Sequence, residues 1–152
     1  MFRAQSISRL LEGNSGSFDN PNLTRQRRAK DSSFQLHTVA GAWMHEKFGL
    51  NYRSYALFCT GDREVASRYA SLPACALISI EPIGEYSLCY SEKCMDLYGH
   101  FLFMPQLSDD AIRESLEDLN FKEFRNSGID PAAESGCEVM LFANKFAYAR
   151  LT

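Results

Sequence analysis

The sequence predicts an α+β fold: a mostly antiparallel β-sheet with two to three helices. Three observations carry that class. Two stretches, at about 33–48 and 108–120, show the 3.6-residue apolar spacing of amphipathic helices. The other apolar runs are short, rich in β-branched and aromatic residues, and bounded by Gly, Pro, Asn or Ser, which suits five to seven strands. Two of these runs meet at Pro82-Ile83-Gly84, close to a hairpin signature and hence to antiparallel pairing.

The elements follow in chain order. "FRAQSISRLLEG" reads as a short amphipathic helix and "NSGSFDNPN" as a loop, so residues 1–22 form an N-terminal helix and loop ahead of a core over 23–152, all in one domain. "LTRQRR" reads as a short strand with Leu23, Arg25 and Arg27 on one face. Ser32 and Gln35 have capping-box spacing, and Leu36, Val39, Ala40, Trp43 and Met44 form a wide apolar stripe that ends at Gly49. Trp43 on that stripe is a core residue.

"SYALFCT" is a continuous apolar run, the pattern of a strand covered on both faces. Gly61-Asp62 open a short helix whose buried side is Val65, Ala66, Tyr69 and Ala70. "ACALISIEP", "EYSLCYS" and "GHFLFMP" are strand candidates, the last stopped by Pro105. Ser108 caps the second strong helix, which places Ile112, Ser115, Leu116 and Leu119 on one face. "NSGIDPAAESG" is a loop, and "CEVMLF" and "FAYARL" are two β-prone runs flanking Asn144-Lys145.

Bulk properties narrow the function. The 152 residues are 45% hydrophobic and 23% charged, values of a folded domain with a real core. Sixteen basic against 19 acidic residues leave −3, which argues against a general polyanion binder. Five cysteines, an odd number, no secretory leader pattern and no apolar run near the ~20 residues of a membrane span predict a reduced, cytoplasmic protein. Cys89 and Cys94 have no second ligand pair, so no metal site is expected.

Candidate chemistry is sparse. His37 or His45 with Cys59 makes a weak thiol-nucleophile pair, because an apolar strand raises a thiol pKa. The run "RQRRAK" is equally a solvated edge strand, a nucleic-acid contact or a pyrophosphate clamp, since guanidinium forks suit phosphate oxygens. Glu138 opens an apolar strand directly after Gly136 and Cys137. It is either an edge carboxylate reaching water or, in a cleft, a group that orients a hydroxyl or stabilises a developing cation.

An Arg-bearing first strand, an apolar strand ending in Thr-Gly, a helix carrying Tyr and a late strand opened by Glu resemble the ADP-ribosyltransferase superfamily. "ALFCTGDREVASRYA" is similar to the "G-x-Y-F-A…S-x-x-Y" segment of poly(ADP-ribose) polymerases and diphtheria-like toxins, with Ala66 in place of the Ser. No His stands on the first strand, so the toxin branch, with Arg, a Ser-Thr-Ser strand and Glu, matches better. Gly136 occupies the place of the first acid in that branch's Glu-x-Glu pair.

The resemblance implies a split sheet, NAD as the substrate, no metal, and a macromolecular acceptor, protein or nucleic acid. It implies a catalytic Glu138 acting through the ribose 2′-hydroxyl, with Thr60 holding its rotamer. It further implies a cofactor-binding set of Arg25, Arg27 and Arg28 on the pyrophosphate, Gly61 at the corner, and Phe58 and Tyr69 around nicotinamide. The arrangement is also similar to small phage-encoded proteins, implying the host cytoplasm. Two other classes remain open: a non-catalytic interaction protein on a degenerate version of this fold, and a small nucleic-acid-binding protein.

Overall fold

A computed structural model describes residues 1–10, 13–28 and 33–151. Among these, the strands are β1 (Phe2–Ser6), β2 (Ser15–Asp19), β3 (Leu57–Cys59), β4 (Cys75–Tyr90), β5 (Lys122–Arg125) and β6 (Val139–Arg150). The helices are α1 (Phe34–Phe48), α2 (Tyr52–Tyr55), α3 (Arg63–Ala70), α4 (Leu97–Phe101), α5 (Asp109–Leu119) and α6 (Ile129–Glu134). The fold is α+β, with all six strands in one antiparallel sheet.

Two long strands, β4 and β6, form the spine. Their register shifts by one residue between Ile83 and Tyr86, a β-bulge with Gly84 at φ 83°. Pro82 and Gly84 therefore mark a bulge rather than the hairpin corner expected there, and β4 runs straight through. The bulge divides the neighbours. Below it, β1 and β2 flank the 75–83 part of β4 and the 145–150 part of β6. Above it, β5 and β3 flank the 86–90 part of β4 and the 139–143 part of β6. A two-hydrogen-bond bridge from Phe2 to Thr60 ties β3 back to β1.

The strongest helix signals produce helices. Ser33 Oγ accepts the Leu36 N–H at 3.1 Å, so α1 begins one residue later than expected; Ser32 lies outside the described residues. Gly49, at φ 79°, closes α1 in the left-handed conformation. Its stripe packs with Ile112, Leu116 and Leu119 of α5 and with Tyr52, Leu97, Phe121 and Met140. Trp43 is buried there and donates its Nε1–H to Glu117 at 2.7 Å, which satisfies the indole. A second core of Ile78, Ile80, Val139, Leu141, Phe146 and Tyr148 lies within the sheet, with Leu57, Cys59 and Ala132 against it.

Several expectations give way to tertiary pairing. Residues 2–6 are a strand instead of a helix, because β4 offers a complete ladder, Phe2 opposite Ser79 through Ser6 opposite Cys75. Residues 15–19, expected as loop, pair with β6. A single amphipathic stretch of this length is marginal as an isolated helix, so a sheet edge wins. Residues 23–28 run from a turn into irregular chain rather than forming a strand. Asn20 and Asn22 hold this segment by donating to the carbonyls of Tyr55, Ala143 and Ala56.

Residues 97–101 form α4, not a strand, with Asp96 accepting the Gly99 N–H as its cap. Residues 129–134, expected as loop, form α6, where Pro131 sits in the first turn and displaces no hydrogen bond. The two β-prone runs around Asn144-Lys145 are one strand, β6. No helix among the described residues is long and apolar enough to cross a membrane.

Candidate functional site

Glu138 sits at the head of β6, next to the short strand β3. Its backbone N–H donates to the Met95 carbonyl at 2.7 Å, and the Leu97 backbone amide lies close enough to its carboxylate to oppose the rise in its pKa. Arg53 Nη1 stands 3.6 Å from Glu138 Oε1. Arg53 is only 3% exposed and Glu138 23%, so both charges lie in a largely dehydrated setting. Burial pushes the Glu138 carboxyl above its usual range; Arg53 and Arg27 oppose the shift and Asp96 adds to it. Burial likewise lowers Arg53, against the field of Glu138, Cys94 and Asp96.

Phe58 of β3 organises the cations. The Arg27 guanidinium carbon lies 3.8 Å from the centre of its ring and that of Arg53 4.7 Å. Arg27 is held by its N–H donating to the Ser54 carbonyl of α2 at 2.9 Å. His37 is buried on α1, close to the Arg27 backbone. Burial, then the charges of Arg53 and Arg27, lower the His37 pKa and keep the imidazole neutral near pH 7.

The Thr60-Gly61 corner acts one step removed. Thr60 Oγ1 donates to the Gly136 carbonyl at 2.9 Å and accepts the Asp62 N–H at 3.0 Å. Its one proton is thus spent on the loop leading to Glu138, not on the carboxylate as expected. Gly61 abuts α6: a Cβ there would fall inside the Ala133 carbonyl. Together they seat α6 and the turn that delivers Glu138 to the site.

Arg27 and Phe58 therefore meet beside Glu138, whereas the other anticipated residues lie elsewhere. Arg25 is exposed and lines a shallow hollow with Arg9, Phe18, Asp19, Pro21 and Thr24. Arg28 is exposed to solvent. Tyr69, expected on the buried side of its helix, is 54% exposed on α3, which packs against β1 and β4. The Glu138 surroundings are instead built by α1, α2, β3 and the 95–97 segment. Phe58 and Tyr69 thus stand on different walls, and the Phe58 ring already carries two guanidinium groups.

Arg53, His37 and Asp96 enter the site without having been assigned a place in it. The signal for Arg53 was available in "NYRSYALF", a lone cation inside an aromatic and apolar stretch. The thiol reading loses its nucleophile. Burial pushes Cys59 and Cys94 up to about 12, and Cys59 Sγ donates to the Val139 carbonyl. His45 is exposed on α1. No group of three metal-ligating side chains occurs among the described residues. What remains is a half-buried carboxylate faced by a pair of positioned guanidinium groups, which suits an anionic ligand bearing a hydroxyl.

No family model matches this chain, and neither the curated proteins nor the solved structures contain a match to it.

Proposed function

We propose that this protein is a NAD-dependent ADP-ribosyltransferase acting on a macromolecular acceptor. The observation behind this reading is the placement of Glu138, a carboxylate at the head of a central strand, beside the Arg53 and Arg27 guanidinium groups. Arg27, which is partly exposed, supplies positive charge for a pyrophosphate, buried Arg53 positions the Glu138 carboxylate, and Glu138 supplies an acceptor for a ribose hydroxyl.

In the reaction, the bond between the ribose C1′ and the nicotinamide nitrogen breaks, and its electron pair leaves with neutral nicotinamide. Glu138 stabilises the positive charge that develops on the ribose. A nucleophile of the acceptor then forms the new bond to C1′ and gives up its proton. The Thr60-Gly61 corner holds the turn before Glu138.

The test is nicotinamide release from NAD, read with a melting curve. NAD at millimolar concentration raises the melting temperature of the wild type, and Glu138→Gln releases no nicotinamide while staying folded. Absence of both binding and release removes the enzymatic reading. A second reading, a non-catalytic interaction protein on the same architecture, draws support from Phe58, whose ring is occupied by Arg27 and Arg53 rather than left open to a ligand ring.

A further inference from the structure

Two buried polar atoms of β1 lack a hydrogen-bond partner, and they share a face of the sheet. Arg3 and Gln5 flank Ala4, so their side chains leave the strand on one side. Gln5 is 3% exposed, with its Oε1 buried and unpartnered. Arg3 keeps part of its side chain in solvent, but its Nη1 is likewise buried and unpartnered. Its Nε reaches only the Ala4 carbonyl, at 3.4 Å. Arg150 is on the same face, because Arg3 stands opposite Ile78 and Ile78 opposite Arg150.

The charges around Arg3 do not balance. Burial lowers its pKa to about 10, the Cys59 thiol opposes the shift, and the nearby Arg9 guanidinium adds to it. No carboxylate is among those charges, and among the described residues neither Arg3 nor Arg9 forms an ion pair. Arg9 is exposed in the 3-10 turn that follows β1, and with Phe18, Asp19, Pro21, Thr24 and Arg25 it lines a hollow of about 370 Å³. Asp19 stands opposite Lys145, at the other end of β2 from the level of Arg150, so it does not neutralise Arg3. Water satisfies an orphaned donor or acceptor, but it leaves two neighbouring guanidinium groups without a counter-charge.

We propose that Arg3, Arg9 and Gln5 bind a phosphate group at this face of the sheet. A dianion offsets both guanidinium charges, where a carboxylate offsets one. The two guanidinium groups donate to its oxygens, Arg3 through Nη1, and Gln5 Oε1 accepts the P–O–H proton that free hydrogenphosphate carries. A phosphate ester lacks that proton and instead extends past Arg9 into the hollow beside Phe18. The site is separate from Glu138. Arg3 lies within electrostatic reach of Cys59, whereas Phe58, the preceding residue, carries the guanidinium groups beside Glu138. Alternation along β3 therefore places the two sites on opposite faces.

The experiment is titration calorimetry of the full chain in phosphate-free buffer with two probes, inorganic phosphate and phenyl phosphate, read beside melting curves. Wild type is expected to bind at least one of them at millimolar concentration or below. Arg9→Gln, at an exposed position, weakens that binding at least roughly tenfold with an unchanged melting curve. Arg3→Met abolishes it and stays folded, because the substitution removes an uncompensated charge. Phosphate also stabilises proteins by exclusion from their surfaces, so the diagnostic melting shift is the part lost in Arg3→Met. Arg27→Gln, on the Glu138 side, binds as wild type. Tighter binding of inorganic phosphate assigns the free ion as ligand; tighter binding of phenyl phosphate assigns an ester that reaches the hollow. Either supports the site. Binding of neither probe overturns the proposal. So does binding that survives both Arg3→Met and Arg9→Gln, or binding lost in Arg27→Gln, which moves the anion to the Glu138 side.

Discussion

Arg53 and Glu138 form an unequal pair: the guanidinium is sealed at 3% exposure, while the carboxylate 3.6 Å away keeps 23%. The cation depends on the anion for compensation more than the anion depends on the cation. That asymmetry explains why Glu138 is pushed up in pKa despite a neighbouring positive charge, since desolvation outweighs the attraction.

Glu138 carries a folded-state pKa above its unfolded value, so its protonated form favours folding. That contribution is fully present below the unfolded carboxyl pKa and is lost as pH rises through the raised folded value. Urea unfolding of wild type and Glu138→Gln across pH 4 to 8 measures this. Relative to Glu138→Gln, wild type loses stability as pH rises through the raised pKa, and the loss then levels off. A wild type that gains on Glu138→Gln with rising pH contradicts the direction of the shift.

Arg53→Met leaves Glu138 without its closest cation and removes a guanidinium from Phe58. A loss of about 3 kcal/mol at neutral pH is expected, the usual cost of breaking a buried pair from one side. Adding Glu138→Gln recovers part of that loss, because the lone carboxylate is then gone. Denaturant unfolding of the two single variants and the double variant gives the coupling. Strict additivity would show that the pair is energetically silent.

Gly61 and Gly84 separate two uses of glycine. Gly61→Ala drives a methyl into the Ala133 carbonyl of α6, with an expected cost of roughly 3 kcal/mol and weakened seating of the turn before Glu138. Gly84→Ala meets nothing within 4 Å and suffers only from its positive φ, about 1 kcal/mol. Thermal melts of the two variants rank them; equal losses would show that α6 shifts without cost.

The thiols predict a labelling order. Cys59, Cys89, Cys94 and Cys137 are buried, and burial raises the pKa of the first three, whereas Cys75 is partly exposed. A thiol reagent at neutral pH is expected to modify Cys75 first and the other four only as the chain opens. Mass-spectrometric mapping over time identifies the order. Early modification of Cys59 would contradict the packing described around β3.

The sequence alone determined the elements whose signals are local. The apolar stripe of Leu36, Val39, Ala40, Trp43 and Met44, closed by Gly49, is an amphipathic helix wherever it is placed, and the Ser108 cap with Ile112, Leu116 and Leu119 is another. The runs that became β3, β4 and β6 were equally legible as strands, and with them the α+β class. Tertiary structure decided what depends on a distant partner. Residues 2–6 and 15–19 became strands because β4 and β6 offered ladders to them, and Pro82-Ile83-Gly84 became a bulge because β6 continues alongside. The site followed the same division. Glu138 stood out because a charge opening an apolar strand is visible in one dimension. Its cation did not, because Arg53 and Glu138 are 85 positions apart and meet only when α2 and β3 pack beside β6. Local periodicity selects helices and strands; burial of a charge against a remote counter-charge is settled only by the folded chain.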